Sequence, residues 1–369
     1  MSKLETLIQQ LCPDGVEYKR LGDVLTIKNG RDYKSFESGS VPVYGSGGIM
    51  AYINTAVYDK PSVLIPRKGS LEKLYYVDKP FWNVDTIFYT EINTELVCPK
   101  FVYYWLAKQH LERLNKAGGV PSLTQAVLNK ITIPVPPLEI QREIVRILDH
   151  FTELTAELTA ELTARKKQYE YYRNRLLTFG NDVPTYKFGD VLTFLNGRAY
   201  KQSELLSKGK YPVLRVGNFY TNDSWYYSDL ELTEDKYCDK GDLLYSWAAT
   251  LGPKIWTGEK CIFHYHIWKI IFDENTIDKN YLYYYLQNDL AEISNSTTKS
   301  TMIHVSMASM KERMIKLPSI KTQRKIAALI SSFDGLCTNI SCGLPAEIEA
   351  RQKQYEYYRD KLLTFKPLA

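Results

Sequence analysis

Long apolar runs are missing from this chain of 369 residues, and with them any sequence able to span a bilayer, which takes roughly 20 consecutive apolar residues. The N-terminal residues show no signal-peptide pattern, so a cytoplasmic protein without a membrane partner is expected. Cysteine is scarce and scattered. Cys12, Cys98, Cys238, Cys261, Cys337 and Cys342 include no Cys-x-x-Cys pair, which points away from a zinc knuckle or a disulfide framework and leaves ordinary thiols. Nucleotide cradles are absent too: there is no Walker A pattern, and Gly45-Ser-Gly-Gly48 lacks the third-glycine spacing and the following amphipathic helix of a dinucleotide fingerprint. It reads as a turn. Histidine is rare, and His264 and His266, set to alternate on one strand face near Cys261, have no second ligand pair. Packing or a groove contact is expected there, not a metal, and no cofactor is implied anywhere.

What the chain has is a globular composition, 44% hydrophobic and 24% charged, with enough length for two or three domains. A net charge of +5 suits a polyanionic partner without requiring one. The informative feature is repetition. Phe151 to Arg165 runs Thr-Glu-Leu-Thr-Ala-Glu-Leu-Thr-Ala-Glu-Leu-Thr-Ala between its ends, all helix-compatible residues without Gly or Pro. Ile144, Leu148, Phe151, Thr155, Leu158, Leu162, Arg165, Tyr169, Tyr172, Leu176 and Phe179 follow at alternating steps of four and three, a heptad seam on a rod of roughly 50 Å. Arg165 to Phe179 then returns as Arg351 to Phe365 with all but three positions identical.

Other landmarks repeat in the same order. Gly22 to Lys34 matches Gly189 to Lys201, Phe101 to Leu106 matches Tyr281 to Leu286, and Ile133 to Arg142 matches Ile315 to Arg324. Each half therefore reads as a globular domain, a Pro-marked corner and a long helix. Short β-rich runs bounded by Gly, Pro and Asp predict strands at Val41 to Ile49, Ser62 to Pro66, Lys73 to Val77, Thr86 to Thr90, Tyr211 to Val216, Asp242 to Trp247 and Cys261 to Ile271. Helices are expected at Leu4 to Leu11, Lys100 to Asn115 and Asp278 to Ser294. The expected fold is α+β: domains over 1–136 and 180–318, joined by helices over 137–179 and 319–369 that pair as an antiparallel intramolecular coiled coil with pseudo-twofold symmetry.

Between the landmarks the two domains diverge, which suggests two unlike ligands presented by one plan. Loops that place cations, hydroxyls and glycines together suit DNA, because phosphates take charge and base edges take hydrogen bonds. The candidates in the first half are Arg31 and Lys34, Tyr44 and Ser46, Arg67, Lys68 and Ser70, and Lys116, Ser122 and Thr124. Those in the second are Arg198 and Lys201, Arg215 and Asn218, and Thr298, Lys299 and Ser300. Singly, each is ordinary turn composition. Their recurrence at matching places makes the set a candidate interface. The duplicated helix face, Gln168, Glu170 and Arg173 against Gln354, Glu356 and Arg359, suggests two copies of one partner.

The tetrads at 152–164, the Lys-Gln-Tyr-Glu-Tyr-Tyr-Arg segments at 167–173 and 353–359, Gly343 to Arg351 and the domain-helix-domain-helix order resemble the specificity subunits of type I restriction-modification enzymes. That resemblance covers the whole chain. It implies two target-recognition domains reading the two halves of an asymmetric, bipartite site in double-stranded DNA. It also implies helices that set the gap and bind two methyltransferase subunits, with restriction subunits attached through those. The chain itself would be non-catalytic. One departure stands out, since Gly343 and Pro345 interrupt the second rod. The alternative is a self-contained DNA methyltransferase or nuclease. Pro134-Val-Pro-Pro-Leu138 speaks against it, having Val where an Asn/Asp-Pro-Pro-Tyr/Phe motif needs an amide or carboxylate and Leu where it needs an aromatic ring.

Overall fold

A computed structural model describes residues 3–114, 122–220, 222–296, 304–338 and 343–368, with only the backbone of 291–296. Among them no helix is long and apolar enough to cross a membrane. The chain forms two compact units, residues 1–160 with 347–369, and residues 161–346.

The first unit opens with α1 (Lys3–Leu11), β1 (Tyr18–Arg20) and the single turn α2 (Leu21–Val24). Strands β2 (Leu25–Asn29), β3 (Ser38–Gly45), β4 (Gly48–Ile53), β5 (Ser62–Pro66), β6 (Tyr75–Val77), β7 (Trp82–Asn83) and β8 (Ile87–Ile92) follow. Helices α3 (Pro99–Lys108) and α4 (Gln125–Leu128) and strand β9 (Thr132–Pro134) lead to α5 (Leu138–Leu177), a helix of 40 residues. The strands make an antiparallel sheet ordered β2-β8-β5-β6, a smaller sheet β4-β3-β7 in which β3 and β7 are parallel, and the antiparallel pair β1-β9, which joins the two ends of the domain.

The second unit repeats this plan. β10 (Thr185–Lys187), α6 (Phe188–Val191), β11 (Thr193–Asn196), β12 (Tyr211–Leu214), α7 (Val216–Tyr220), β13 (Tyr226–Ser228) and β14 (Tyr237–Cys238) come first. β15 (Leu243–Ser246), β16 (Gly252–Ile255), β17 (Cys261–Phe263), β18 (Ile267–Ile271), α8 (Lys279–Ser296), α9 (Met307–Glu312), β19 (Met314–Lys316) and α10 (Ile320–Thr338) complete it. Its sheets run β11-β18-β15-β16 and β13-β12-β17-β14, with β12 and β17 parallel, and β10 pairs with β19. The last helix is α11 (Leu344–Leu362), so helix is present on both sides of Gly343, with Pro345 in the first turn of α11, where a missing N–H costs nothing.

Three sequence expectations need correction. Val41 to Ile49 is not one strand but the end of β3, a turn at Ser46-Gly47 and the start of β4. Cys261 to Ile271 is not one strand: it breaks after Phe263 and turns at His264-Tyr265-His266, so the histidines sit on a turn and not on one strand face. The helix expected over Lys100 to Asn115 ends at Lys108, and a 3-10 turn follows at Leu111–Leu114.

The repeated residues do repeated work. A Cβ on Gly30 would lie 2.1 Å from the Val84 carbonyl oxygen, and one on Gly197 would lie 2.3 Å from that of Phe263, so only glycine fits either Asn-Gly-Arg turn. Thr124 and Ser306 cap α4 and α9, each accepting from the backbone N–H three residues on. Gln141, fully buried, accepts the Cys98 N–H at 2.7 Å and donates to the carbonyls of Leu96 at 2.9 Å and Pro136 at 2.7 Å. Gln323, also fully buried, accepts from Asp278 at 2.9 Å and donates to Thr276 at 2.9 Å and Pro318 at 2.8 Å. Each glutamine clips the start of a long helix to the segment that follows the domain's last large strand.

Each unit also takes the end of the other long helical segment. In the first, Phe151 of α5 stacks on Tyr358 of α11, centroids 5.4 Å apart and planes at 21°. In the second, Tyr172 of α5 stacks on Phe333 of α10 at 6.0 Å and 21°. Phe151 corresponds to Phe333 and Tyr172 to Tyr358 in the repeat, so one contact is made twice with the roles exchanged. α10 runs antiparallel to its part of α5: Lys316, just before α10, bonds the Phe179 and Gly180 carbonyls, while Phe333 meets Tyr172. Ile144 and Leu148 of the expected seam are fully buried and Tyr169 nearly so, whereas Leu154, Leu158 and Leu162 of the tetrads are only half-buried. Arg165 bridges to Glu161 within its own helix at 3.3 Å.

Candidate nucleic-acid interface

In the first unit the loops converge on the turn between β7 and β8. Arg31 donates its N–H to the Asn83 carbonyl at 2.9 Å, and Arg67 and Lys68 donate theirs to the Thr86 carbonyl at 2.9 and 3.2 Å. The Ser46 N–H reaches the Thr86 hydroxyl at 3.3 Å. Lys68 forms a bridge to Ser122, and the Leu123 N–H bonds the Arg67 carbonyl at 2.9 Å. Five of the expected contact residues, Arg31, Ser46, Arg67, Lys68 and Ser122, thus share one surface, and main-chain bonds hold it. Arg31 and Lys68 are exposed; Lys68 lies 3.6 Å from Asp85, a surface pair of little strength.

Tyr44 and Thr124 of that set have local duties. Tyr44 lies on β3 against Tyr75 and Phe81, at 5.7 and 6.3 Å between centroids, and burial raises its hydroxyl pKa. The Thr124 hydroxyl is occupied as an N-cap, and Ser70 accepts the Lys73 N–H in the turn after β5. Lys34 is exposed next to an Asp32 turn. Lys116 lies outside the described residues, as do Thr298, Lys299 and Ser300.

The second unit builds the same hub at the β17–β18 turn. Arg198 donates its N–H to the Phe263 carbonyl at 3.0 Å and accepts from the Tyr265 N–H at 3.1 Å, while the His264 N–H bonds the Leu214 carbonyl at 2.9 Å. Trp247 donates its backbone N–H to His266 at 3.1 Å and its indole N–H to the Tyr265 carbonyl at 2.8 Å. Ala248 bridges to His304 as Lys68 does to Ser122.

The side chains differ. The Arg198 guanidinium forks onto Glu204 at 2.9 and 2.8 Å, which holds that carboxyl down at about 2. Lys201 is exposed, Arg215 is exposed and lies over the Tyr226 ring at 5.4 Å, and Asn218 locks its own loop by bonds to Asn222 and Ser224 at 2.9 and 3.0 Å. Trp247, Tyr265 and His304 were not among the expected contacts. Burial, then His266 and Arg215, push His264 down to about 4; burial and His304 lower His266 as well, so these rings are uncharged near neutral pH.

On the helices, Gln168 accepts from Arg165 at 3.0 Å and Gln354 from Arg351 at 3.2 Å. Arg173 and Arg359 are half-buried over the rings of Tyr169 and Tyr355, at 5.3 and 5.8 Å, and do not stand outward. Glu170 and Glu356 are exposed, and beside them are two unexpected equivalents, Tyr171 at 58% exposure and Tyr357 at 62%. Among the described residues no three His, Cys, Asp or Glu side chains gather in a way that could hold a metal ion.

Comparison with known proteins agrees with this doubled plan. Residues 13–165 and 181–350 each match the family model for the type I restriction modification DNA specificity domain. Over 99% of the chain and the whole of its counterpart, it is 32% identical to a Haemophilus influenzae protein described as a type I restriction enzyme specificity subunit. It is 33% identical to the Escherichia coli EcoR124I/EcoR124II specificity subunit over 72% of this chain and 70% of that one. The fold matches the S subunit from M. genitalium with TM-score 0.59, 17% identity and coverage of 95% and 96%. A chain from a structure addressing complex assembly and conformational transition of the type I R-M system gives TM-score 0.65, 17% identity and coverage of 96% and 98%.

Proposed function

Because the chain belongs to the type I restriction-modification DNA specificity family, we propose that it reads an asymmetric, two-part DNA sequence, one part with each repeat, and carries two methyltransferase subunits. Restriction subunits then join through those. Recognition falls to 1–136 and 180–318, and the helical segments 137–179 and 319–369 space and dock. The chain works in the cytoplasm and leaves the chemistry to its partners.

One observation carries the two-part reading: the loop hubs share their main-chain bonds but not their side chains. The first offers Arg31, Ser46, Arg67 and Lys68 around a small turn; the second offers rings around His264-Tyr265-His266. Equal scaffolds with unequal surfaces suit two unlike half-sites. The doubled pairs Glu170 with Tyr171 and Glu356 with Tyr357 support two equivalent docking faces, since exposed tyrosines make good interface anchors.

The decisive experiment replaces residues 189–310 with the corresponding segment of a relative of different specificity, followed by mapping of methylated sites. One half of the site should change and the other stay. A change in both halves would overturn the assignment of one half-site to each repeat. Methyl transfer by the purified chain without any added methyltransferase subunit would favour the self-contained enzyme instead.

A further inference from the structure

The turn between β17 and β18 is anchored through its backbone and displays its rings. The Tyr265 N–H and carbonyl are both taken, by Arg198 and by the Trp247 indole, so no main-chain function of that residue is left over. The residue is 37% exposed, and its ring lies 4.4 Å from the His264 ring and 4.0 Å from that of His266. Trp247 continues the cluster, 5.0 Å from His266 and 5.9 Å from His304. The matching turn of the first unit, Val84-Asp85-Thr86, has no ring at all. A scaffold role therefore does not account for the rings of Tyr265 and His266, since the first hub closes without any ring in its turn.

The chemistry of these rings is that of base reading. An uncharged imidazole donates through one nitrogen and accepts through the other, and a phenol does both through one oxygen. Neither supplies charge to a phosphate. The Arg198 guanidinium is paired with Glu204, and exposed Arg215 and Lys201 are placed to meet the DNA backbone.

Resting on the functional reading above, we propose that Tyr265 and His266 are specificity-determining residues of the second repeat, contacting base edges in a groove of the duplex, with Trp247 as the platform that orients them. They contribute to choice of sequence and not to the salt-dependent attraction common to all DNA.

The test uses the full chain assembled with methyltransferase subunits, and measures affinity for duplexes in which each base of the two half-sites is varied in turn, at several salt concentrations. Tyr265→Ser and His266→Ala should each lower discrimination by about tenfold or more at one or two positions of a single half-site, as expected for loss of a base contact. The other half-site and the steepness of the salt dependence should not change. His266→Asn keeps a small polar side chain in the turn and should show the same loss, which guards against misfolding as the cause. Unchanged discrimination in variants with an unaltered unfolding midpoint would overturn the proposal. So would a uniform loss of affinity with a shallower salt dependence, the mark of a phosphate contact. A wild-type complex with no sequence preference would instead overturn the functional reading beneath it.

Discussion

Gln141→Leu should destabilise the first unit far more than its nearly equal volume suggests. The side chain has no exposure and makes three bonds, all to main-chain atoms: the Cys98 N–H and the carbonyls of Leu96 and Pro136. Leucine fills the space and leaves three main-chain groups, one buried and two half-buried, without this partner, at about 1–3 kcal/mol each. If neighbouring atoms shift enough to satisfy part of them, the loss is still about 3–5 kcal/mol, a large part of the stability of an ordinary domain. Denaturant unfolding of the chain, with amide exchange resolved along the sequence, reads the effect. Protection should fall in residues 1–160 and 347–369 and persist in 161–346, and Gln323→Leu should do the converse. A loss below about 1 kcal/mol would show that the clip is ornamental and that apolar packing alone seats the helix.

Deleting Thr155 to Leu158 removes one tetrad from α5, about 6 Å and a rotation of roughly 40°. Both half-site sequences should survive while the gap between them shortens by about one or two base pairs; a library of spacer lengths read by methylation checks this, and an unchanged gap in an assembled mutant would refute the helix as a ruler. Arg67→Ala and Lys68→Ala should each weaken binding to every sequence and lower the steepness of the salt dependence by about one, and an unaltered slope would place that loop away from DNA. Changing Glu170 and Tyr171 to Ala should leave a complex with one methyltransferase subunit, and changing Glu356 and Tyr357 as well should leave none, as measured by mass. Glu143, hydrogen-bonded by Arg146 and, against the effect of its burial, by Lys3, is held down at about 2 from an ordinary 4.5. Its folded-state pKa is depressed, so its stabilisation is full above the ordinary value and fades as pH falls toward the folded one; the stability advantage over Glu143→Gln, measured by unfolding at a series of pH values, should shrink in that window.

Local signals wrote much of the fold plainly. Ser62 to Pro66 is an apolar run closed by proline and emerges as a fully buried strand, and the helix-compatible stretch ahead of Phe179 emerges as α5. The break at His264-Tyr265-His266 was invisible because none of the three is a turn former; bonds from Arg198 and Trp247, distant in sequence, bend the chain there. The hubs were legible only as repeated loops, since their coherence rests on main-chain bonds between residues 18 to 67 positions apart, which no local pattern announces. Repetition also flattered Arg173 and Arg359: identity in both copies suggested an outer face, whereas packing over Tyr169 and Tyr355 would conserve the same pair in any repeat. The Gln-Arg identity at 141–142 and 323–324 was visible, but not its meaning, because the partners of Gln141 include residues more than 40 positions upstream.

The exchange of helix ends gives the two units unequal histories during synthesis. Residues 161–346 are contiguous, so the second unit has all its parts as soon as the ribosome has passed them. The first unit does not. Its core includes buried Leu363, packed with Leu362, Tyr355 and Phe365, and its Phe151 ring waits for Tyr358. At 5–20 residues per second, about 10 to 40 seconds separate Ala160 from the end of the chain. Through that interval Phe151, Ile147 and the apolar face of α1 lie open beside a neighbour still being made. The half of the molecule translated first is the half completed last, its apolar face waiting for α11 while residues 161–346 already have all their parts.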